Sequence, residues 1–239
     1  MKIALVGNQN SGKTTLFNLL TGSNQKVGNW PGVTIDRKSG IIKGTDFELI
    51  DLPGIYSLSP YTPEEEISRK FLLEENPDLI INIVDATSLE RSLYLTTQLL
   101  ELDTKLLLVL NMSDILLKKG IFIDVEKLKA ELQIDIVQIS AFRGTGIDEL
   151  IACLKKQNIK DNPKLKIYPA YVEKTIGEIE SKIGLANGRF IAVKLLERDR
   201  LFGDLMDESI EQKVKALERF YEMDMEEGIA YFRYEWIEG

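Results

Sequence analysis

Histidine is absent from this 239-residue chain, and cysteine occurs once. The first absence removes imidazole both as a general base and as a metal ligand. The single thiol, Cys153, excludes an internal disulfide and a cysteine-cluster metal site. It sits in the apolar helical pattern Leu150, Ile151, Leu154, so a buried structural thiol is expected. A disulfide-free composition suits a reducing compartment. No apolar run approaches the ~18–20 residues of a membrane span. The N-terminus runs straight into a strand pattern without a signal-peptide layout, so the chain as given is expected to be soluble. Lys and Arg number 30 against 38 Asp and Glu, a net charge of −8, which argues against a general nucleic-acid binder. The hydrophobic fraction of 44% is enough for a true core, and the length suits one large domain or an ordinary one plus a small one.

What is present is concentrated first at the N-terminus. Gly7-Asn8-Gln9-Asn10-Ser11-Gly12-Lys13-Thr14 follows the apolar run Ile3-Ala4-Leu5-Val6 and leads into Leu16-Phe17-Asn18-Leu19-Leu20. Strand, glycine-bounded loop and helix in that order make the phosphate-binding loop of nucleotide hydrolases. Gly7 and Gly12 let the chain curl so that successive backbone N–H groups point at one spot, and the helix adds its positive end. Lys13 can reach the outer phosphates and the Thr14 hydroxyl can take a Mg²⁺ position. Asn8, Asn10, Ser11 and Thr15 complete the expected nucleotide contacts of this loop.

Strand-like and helical patterns alternate up to about residue 157. Strands are expected over 2–6, 35–43, 47–51, 79–84, 106–110 and 134–139, and helices over 13–21, 64–74, 89–102, 125–132 and 146–156. The runs at 79–84 and 106–110 lack polar alternation, as parallel strands covered on both faces do. The strands over 35–43 and 47–51, joined by Gly44-Thr45-Asp46, read as a hairpin that places one antiparallel strand in an otherwise parallel sheet. The fold class is therefore α/β, a P-loop NTPase of the Ras-like G-domain type with a mostly parallel, doubly wound sheet. It is followed by a small all-helical domain of about four helices, with apolar faces such as Val172, Ile176, Ile179, Ile183 and Ile210, Val214, Leu217, Tyr221. The division is a G domain over 1–160, a connector over 161–169 and a helical domain over 170–239.

Three further motifs close strands. Asp51-Leu52-Pro53-Gly54 offers an Asp for Mg²⁺ and a Gly54 amide that can sense a terminal phosphate. Asn111-Met112-Ser113-Asp114 reads guanine: the Asp114 carboxylate accepts from the base N1–H and its 2-amino group, a donor pair adenine lacks. Met112 stands where many GTPases carry Lys and gives a softer apolar contact, from which weaker affinity and faster exchange are expected. Ser140-Ala141-Phe142 is placed to offer backbone N–H to the guanine oxygen. The glycine-rich segment over 27–34 is expected to be mobile, with Thr34 supplying a hydroxyl to Mg²⁺ and Trp30 partly exposed. Ile55 stands where many GTPases place the glutamine that orients water, so unaided turnover should be slow.

The two-asparagine phosphate loop, Val27-Gly28-Asn29-Trp30-Pro31-Gly32-Val33-Thr34, Asp51 to Gly54 and Tyr61-Thr62-Pro63-Glu64-Glu65 together resemble FeoB. That family comprises prokaryotic ferrous-iron transporters whose N-terminal part is a cytosolic G domain, and the later helices fit its helical regulatory domain, described as resembling a GDP-dissociation inhibitor. Gln9 departs from the family, which commonly has Pro there. The resemblance implies a K⁺-activated GTPase using GTP/GDP, Mg²⁺ and K⁺. It implies that Asn10, with backbone carbonyls of Gly28 and Trp30, holds K⁺ against the phosphates, so that Lys13, Asn10, Thr34 and Gly54 carry catalysis. It further implies that the membrane-spanning iron-transport domain lies outside this chain, which would act as a switch at the cytoplasmic face of the inner membrane. Homo-oligomerisation stays open. Two other readings share the motifs: an RNA-associated, K⁺-using GTPase of ribosome assembly or tRNA modification, and a nucleotide-binding switch with negligible turnover. The acidic stretches over 204–211 and 222–227 weigh against the first, and the presence of the full Mg²⁺ set (Lys13, Thr14, Thr34, Asp51) against the second.

Overall fold

A phosphate loop needs a rigid strand before it and a helix after it, and a nearly continuous hydrophobic sheet supplies both. The computed structural model describes residues 1–23, 25–59 and 62–239; Tyr61, one of the residues behind the resemblance above, lies outside them. The first part of the chain runs β1 (Lys2–Gly7), α1 (Lys13–Thr21), β2 (Gln25–Asn29), β3 (Asp36–Ile41), β4 (Glu48–Asp51), α2 (Pro63–Glu74) and β5 (Leu79–Asp85). It continues through α3 (Leu89–Leu99), β6 (Lys105–Asn111), α4 (Ser113–Lys118), α5 (Val125–Leu132), β7 (Asp135–Gln138) and α6 (Ile147–Lys156). The strands form one seven-stranded sheet in the order β2-β3-β4-β1-β5-β6-β7. β1 pairs in parallel with both β4 and β5, so the loop after β1 opens at the carboxyl end of the sheet centre. β3 alone runs against the rest, pairing antiparallel with β2 and β4. β1, β5 and β6 are buried along nearly their whole length, which is why they read as unbroken apolar runs. Helix α2 starts where its sequence says it should: Thr62 Oγ1 accepts from Glu65 N at 3.2 Å, Pro63 opens the helix, and three glutamates fill the first turn.

Three expectations are corrected. Val27, Gly28 and Asn29 are not a free loop; they belong to β2, paired residue by residue with β3. Trp30 is buried, because its ring packs edge-on against Phe71 of α2 at 5.6 Å while the Arg37 guanidinium lies 5.0 Å from its centroid. Its indole N–H has no hydrogen-bond partner, so packing holds the ring. Cys153 is half-buried rather than enclosed: it packs against the core cluster from α6, and burial pushes its thiol pKa up.

The chain folds as two compact units, one made of residues 1–99 with 104–163 and the other of 100–103 with 164–239. The second unit holds α7 (Ala170–Ile183), α8 (Gly188–Leu196), α9 (Glu208–Tyr221) and α10 (Met225–Glu238). Asp207 and Asp224 cap α9 and α10 by accepting from Ile210 N at 2.9 Å and Glu226 N at 2.8 Å. Every residue of α8 is buried, including Arg189 and Lys194. Both cations are paired: Arg189 makes a two-pronged bond to Glu173 at 2.8 and 2.9 Å, and Lys194 meets Glu197 one turn away. Helix α8 is thus the covered centre of its unit. Among the described residues no helix is long and apolar enough to cross a membrane.

Candidate functional site

The loop between β1 and α1 is shaped by close approach. Gly12 has φ +90°, and a Cβ there would lie 2.2 Å from Asn111 Nδ2; a Cβ on Gly7 would lie 2.4 Å from the Ile83 carbonyl oxygen. Any side chain at either position would push the loop off the sheet. Within the loop, Asn8 Oδ1 and Ser11 Oγ are buried with no hydrogen-bond partner. Orphaned polar atoms of this kind inside a backbone cradle suit an oxygen-rich ligand or its ions. Asn10 (φ 64°), Thr14 and Thr15 lie on the same loop and helix start, Asn10 and Thr15 exposed and Thr14 at least partly so. Lys13 Nζ lies 2.5 Å from Asp51 Oδ1, so the loop's cation and the carboxylate closing β4 already share one spot.

Beside this spot is a cavity of about 370 Å³ lined by Gly12, Thr15, Asn111, Met112, Asp114, Ile115, Lys118, Ser140, Ala141 and Phe142. The ends of β6 and β7 place these residues, and Asn111 joins them. Its Nδ2 donates to the Ser11 carbonyl at 2.8 Å and its Oδ1 accepts from Ala141 N at 2.9 Å. One bond at each end of the amide thus fastens the phosphate loop to the 140–142 loop, and Asp114 is the carboxylate on the cavity wall. Ser140 Oγ donates to Asp114 Oδ1 at 2.7 Å, and this bond is the main reason the Asp114 carboxyl lies below its ordinary pKa. Met112 sits at φ 67° and turns the chain into α4, placing its side chain on the cavity wall. The Ser140 and Ala141 amides, expected to serve a base oxygen, are already engaged with the Thr145 carbonyl at 3.1 Å and with Asn111. The Phe142 N–H has no hydrogen bond among the described residues, and its ring forms the exposed rim of the cavity.

The segment after Asp51 is anchored amide by amide. Ile55 N donates to the Gly7 carbonyl at 3.2 Å, Tyr56 N to Glu65 Oε1 at 3.3 Å, Leu58 N to Gln98 Oε1 at 2.7 Å and Ser59 N to Ser57 Oγ at 3.0 Å. Ser68 Oγ donates to the Pro53 carbonyl at 3.1 Å. The Gly54 amide takes no hydrogen bond among the described residues, and a Cβ on Gly54 would approach Gln9 Cγ to 3.1 Å, so this glycine faces the phosphate loop. Ile55 is fully buried, which confirms that its side chain serves the core. Ser68 and Gln98 were invisible to motif reading, and Glu65 entered it only as part of a resembling stretch: on a helix all three look like ordinary polar positions, and only the folded chain shows them turned onto residues 53–58.

Gly28, Trp30 and Thr34 are not gathered with the others. Gly28 is paired with Arg37, Trp30 is folded inward, and Thr34 is exposed at the bend of the β2–β3 hairpin. β3 and β4 lie between β2 and β1, a separation of roughly 14 Å at the usual strand spacing.

Known proteins divide in the same way. Residues 1–154 match the family model described as ferrous iron transport protein B, and residues 168–239 match that of the FeoB cytosolic helical domain. The chain belongs to the FeoB family. It is similar to the Fe(2+) transporter FeoB of Salmonella choleraesuis (strain SC-B67), 42% identical over 209 residues, and to that of Escherichia coli (strain K12), 41% over 212. Each match covers 83% of this chain and 27% of the relative, so the chain spans about a quarter of the length of these FeoB proteins. Among solved structures, a GDP-bound mutant of the S. thermophilus FeoB G domain superposes with TM-score 0.93 at 42% identity, covering 100% of this chain and 96% of that one. S. thermophilus NFeoB bound to GDP.AlF4- and K+ gives 0.89 at 43%, covering 100% and 98%. The FeoB G-domain fold, a P-loop sheet followed by a helical domain, is thus the fold of this chain.

Proposed function

We propose that this chain is the GTP-hydrolysing cytosolic part of a ferrous-iron transporter, a Mg²⁺-dependent and K⁺-activated switch. The observation that supports it most is the cavity beside the Lys13–Asp51 pair, whose one carboxylate, Asp114, is aimed by Ser140. In this reading the guanine base lies between Met112 and Phe142, with N1–H and the 2-amino group on Asp114. The free Phe142 amide, rather than that of Ala141, is the donor for the base oxygen.

The phosphate end follows from charge. Lys13 moves from Asp51 to the outer phosphates, which frees the Asp51 carboxylate to face Mg²⁺. The donor set of Thr14 and Thr34 hydroxyls with Asp51 is all hard oxygen, as Mg²⁺ requires. Asn10 with the Gly28 and Trp30 carbonyls would hold K⁺, which supplies positive charge against the phosphates. For Gly28, Trp30 and Thr34 to take part, the β2–β3 hairpin must close over the loop. The Gly54 amide donates to the terminal phosphate, and the backbone after it orients water in place of a glutamine.

Steady-state GTP hydrolysis in KCl against NaCl at equal ionic strength tests the reading, with Asn10→Ala alongside. Stimulation on the order of tenfold or more, abolished in the variant, is the expected result. Tight GTP binding without turnover in either salt would leave only a nucleotide-binding module.

Base reading has its own test. Asp114→Asn is expected to weaken GDP binding by at least about a hundredfold while favouring xanthosine diphosphate, whose 2-oxo group matches the new amide. Because the Asp114 pKa is lowered in the folded protein, the guanine preference should hold throughout neutral and mildly acidic pH and fade only as pH falls through that lowered value. Competition binding of GDP and XDP across pH reads both; an Asn variant that keeps its guanine preference would remove Asp114 from this role.

A further inference from the structure

Since Ile55 is buried and cannot orient water, the backbone from Gly54 onward must be held in register by something else. We propose that Gln98 on α3 is the positioning residue that sets this segment for hydrolysis, a reading that rests on the GTPase assignment above. Gln98 is wholly buried. Its Oε1 accepts from Leu58 N at 2.7 Å and from the Ser57 hydroxyl at 3.2 Å, and its Nε2 lies 3.1 Å from Ser57 Oγ. The orientation of the amide is fixed chemically, because a backbone N–H can only donate and must face the oxygen. Leu58 is itself buried, so its amide has no water to turn to. The other side-chain hydrogen bonds to the backbone of residues 53–58 among the described residues come from Glu65, Ser68 and Arg69 of α2, the helix that follows the segment, while Arg91 of α3 lies over the Tyr56 ring at 4.6 Å. Gln98 comes from the sheet side. Two residues before it, Thr96 Oγ1 donates to Asn82 Oδ1 of β5 at 2.7 Å, and Asn82 Nδ2 donates to the Val6 carbonyl of β1 at 3.4 Å. Gln98 is therefore referenced, through buried bonds, to the strand that carries the phosphate loop. Ile55 N, bonded to the Gly7 carbonyl at 3.2 Å, ties the start of the segment to that strand, and Gln98 ties its far end, so that the two together set where the Gly54 backbone stands relative to the phosphates, the relation on which water orientation depends.

The test uses Gln98→Met, which keeps length and loses the acceptor, and Gln98→Glu, which keeps an acceptor for Leu58. GTP kcat and KM in KCl, affinity for fluorescent GDP, and the affinity ratio of a non-hydrolysable GTP analogue to GDP are measured for each. The methionine variant should lose about tenfold in kcat, and about as much in the analogue-to-GDP ratio, with KM and GDP affinity within about threefold of wild type. The glutamate variant should recover most of both. An unchanged kcat and ratio in Gln98→Met overturns the proposal. So does an equal fall in kcat and GDP affinity with a lowered melting temperature that Gln98→Glu does not repair, which is the mark of lost packing alone. Absence of turnover in the wild type would instead sink the GTPase reading, and the analogue-to-GDP ratio would still decide the role of Gln98.

Discussion

Lys13→Ala is expected to lower kcat/KM for GTP by about a thousandfold or more, which corresponds to roughly 4 kcal/mol. The size follows from what the side chain does in two states. Without nucleotide, Lys13 neutralises Asp51, a carboxylate that is 7% exposed, through a 2.5 Å contact. With nucleotide, in the proposed mechanism, the same ammonium faces the outer phosphates and Asp51 turns to the metal. Removing it leaves Asp51 without its partner before binding and the phosphates without a cation after it. The two losses separate by experiment. The first appears as a lower melting temperature of the nucleotide-free protein. The second appears as loss of the extra stability that GDP confers, which for wild type grows with the logarithm of ligand concentration. Lys13→Ala should show both, and Asp51→Asn in the same chain should repair only the first. A Lys13→Ala protein whose melting temperature still rises with GDP as in wild type would place the phosphates elsewhere.

The parts of this site that sequence makes legible are those where local chemistry dictates geometry. Gly7 and Gly12 show in the spacing of the loop, and the flanking strand and helix in their apolar patterns, although the contacts that demand the two glycines come from Ile83 and Asn111, far along the chain. The central strands β1, β5 and β6 declare themselves because both faces are covered. β2 does not: Gln25–Asn29 has no apolar alternation, its one large apolar side chain, Val27, is exposed, and it exists as a strand only because β3 pairs with it. Trp30 looks like a loop aromatic until Phe71, far along the chain, supplies its partner. α4 spans only Ser113–Lys118, too short to show a helical period beside the motif that precedes it.

Functional roles divide along the same line. Asp114 is legible as the proposed base reader because its chemistry matches a donor pair. Asn111, in the same motif, also acts as a fastener, through a bond that spans a hundred residues of sequence to Ser11. Gln98 carries no local signal at all, since a polar side chain on an amphipathic helix is indistinguishable from a solvated one until Leu58 is seen beneath it. Motif reading thus finds the groups proposed to touch ligand and misses those that hold the segments around them.

In the second unit, the largest expected effect on stability lies far from any motif. Arg233 of α10 is fully buried, its Nη2 2.8 Å from Glu101 Oε2 and its guanidinium 5.3 Å from the ring centroid of Tyr168. The Tyr168 hydroxyl donates to the other Glu101 oxygen at 2.6 Å. Burial holds the Tyr168 pKa well above its usual value, which favours the protonated phenol that donates this bond. Arg233→Met removes one charge of a buried pair and strands the other, a change that costs about 3–5 kcal/mol. For a helical unit of this size that is a melting-temperature drop on the order of 15–30 °C. The pair itself need not be stabilising. Arg233→Met combined with Glu101→Leu replaces both charges by apolar groups and should return most of the loss. The reason is that the cost comes from the uncompensated carboxylate and not from a missing attraction. Circular dichroism melts of the single and double variants decide this. A double variant no more stable than Arg233→Met would mean that the pair organises its surroundings through Tyr168, and that removing the charge does not remove the damage.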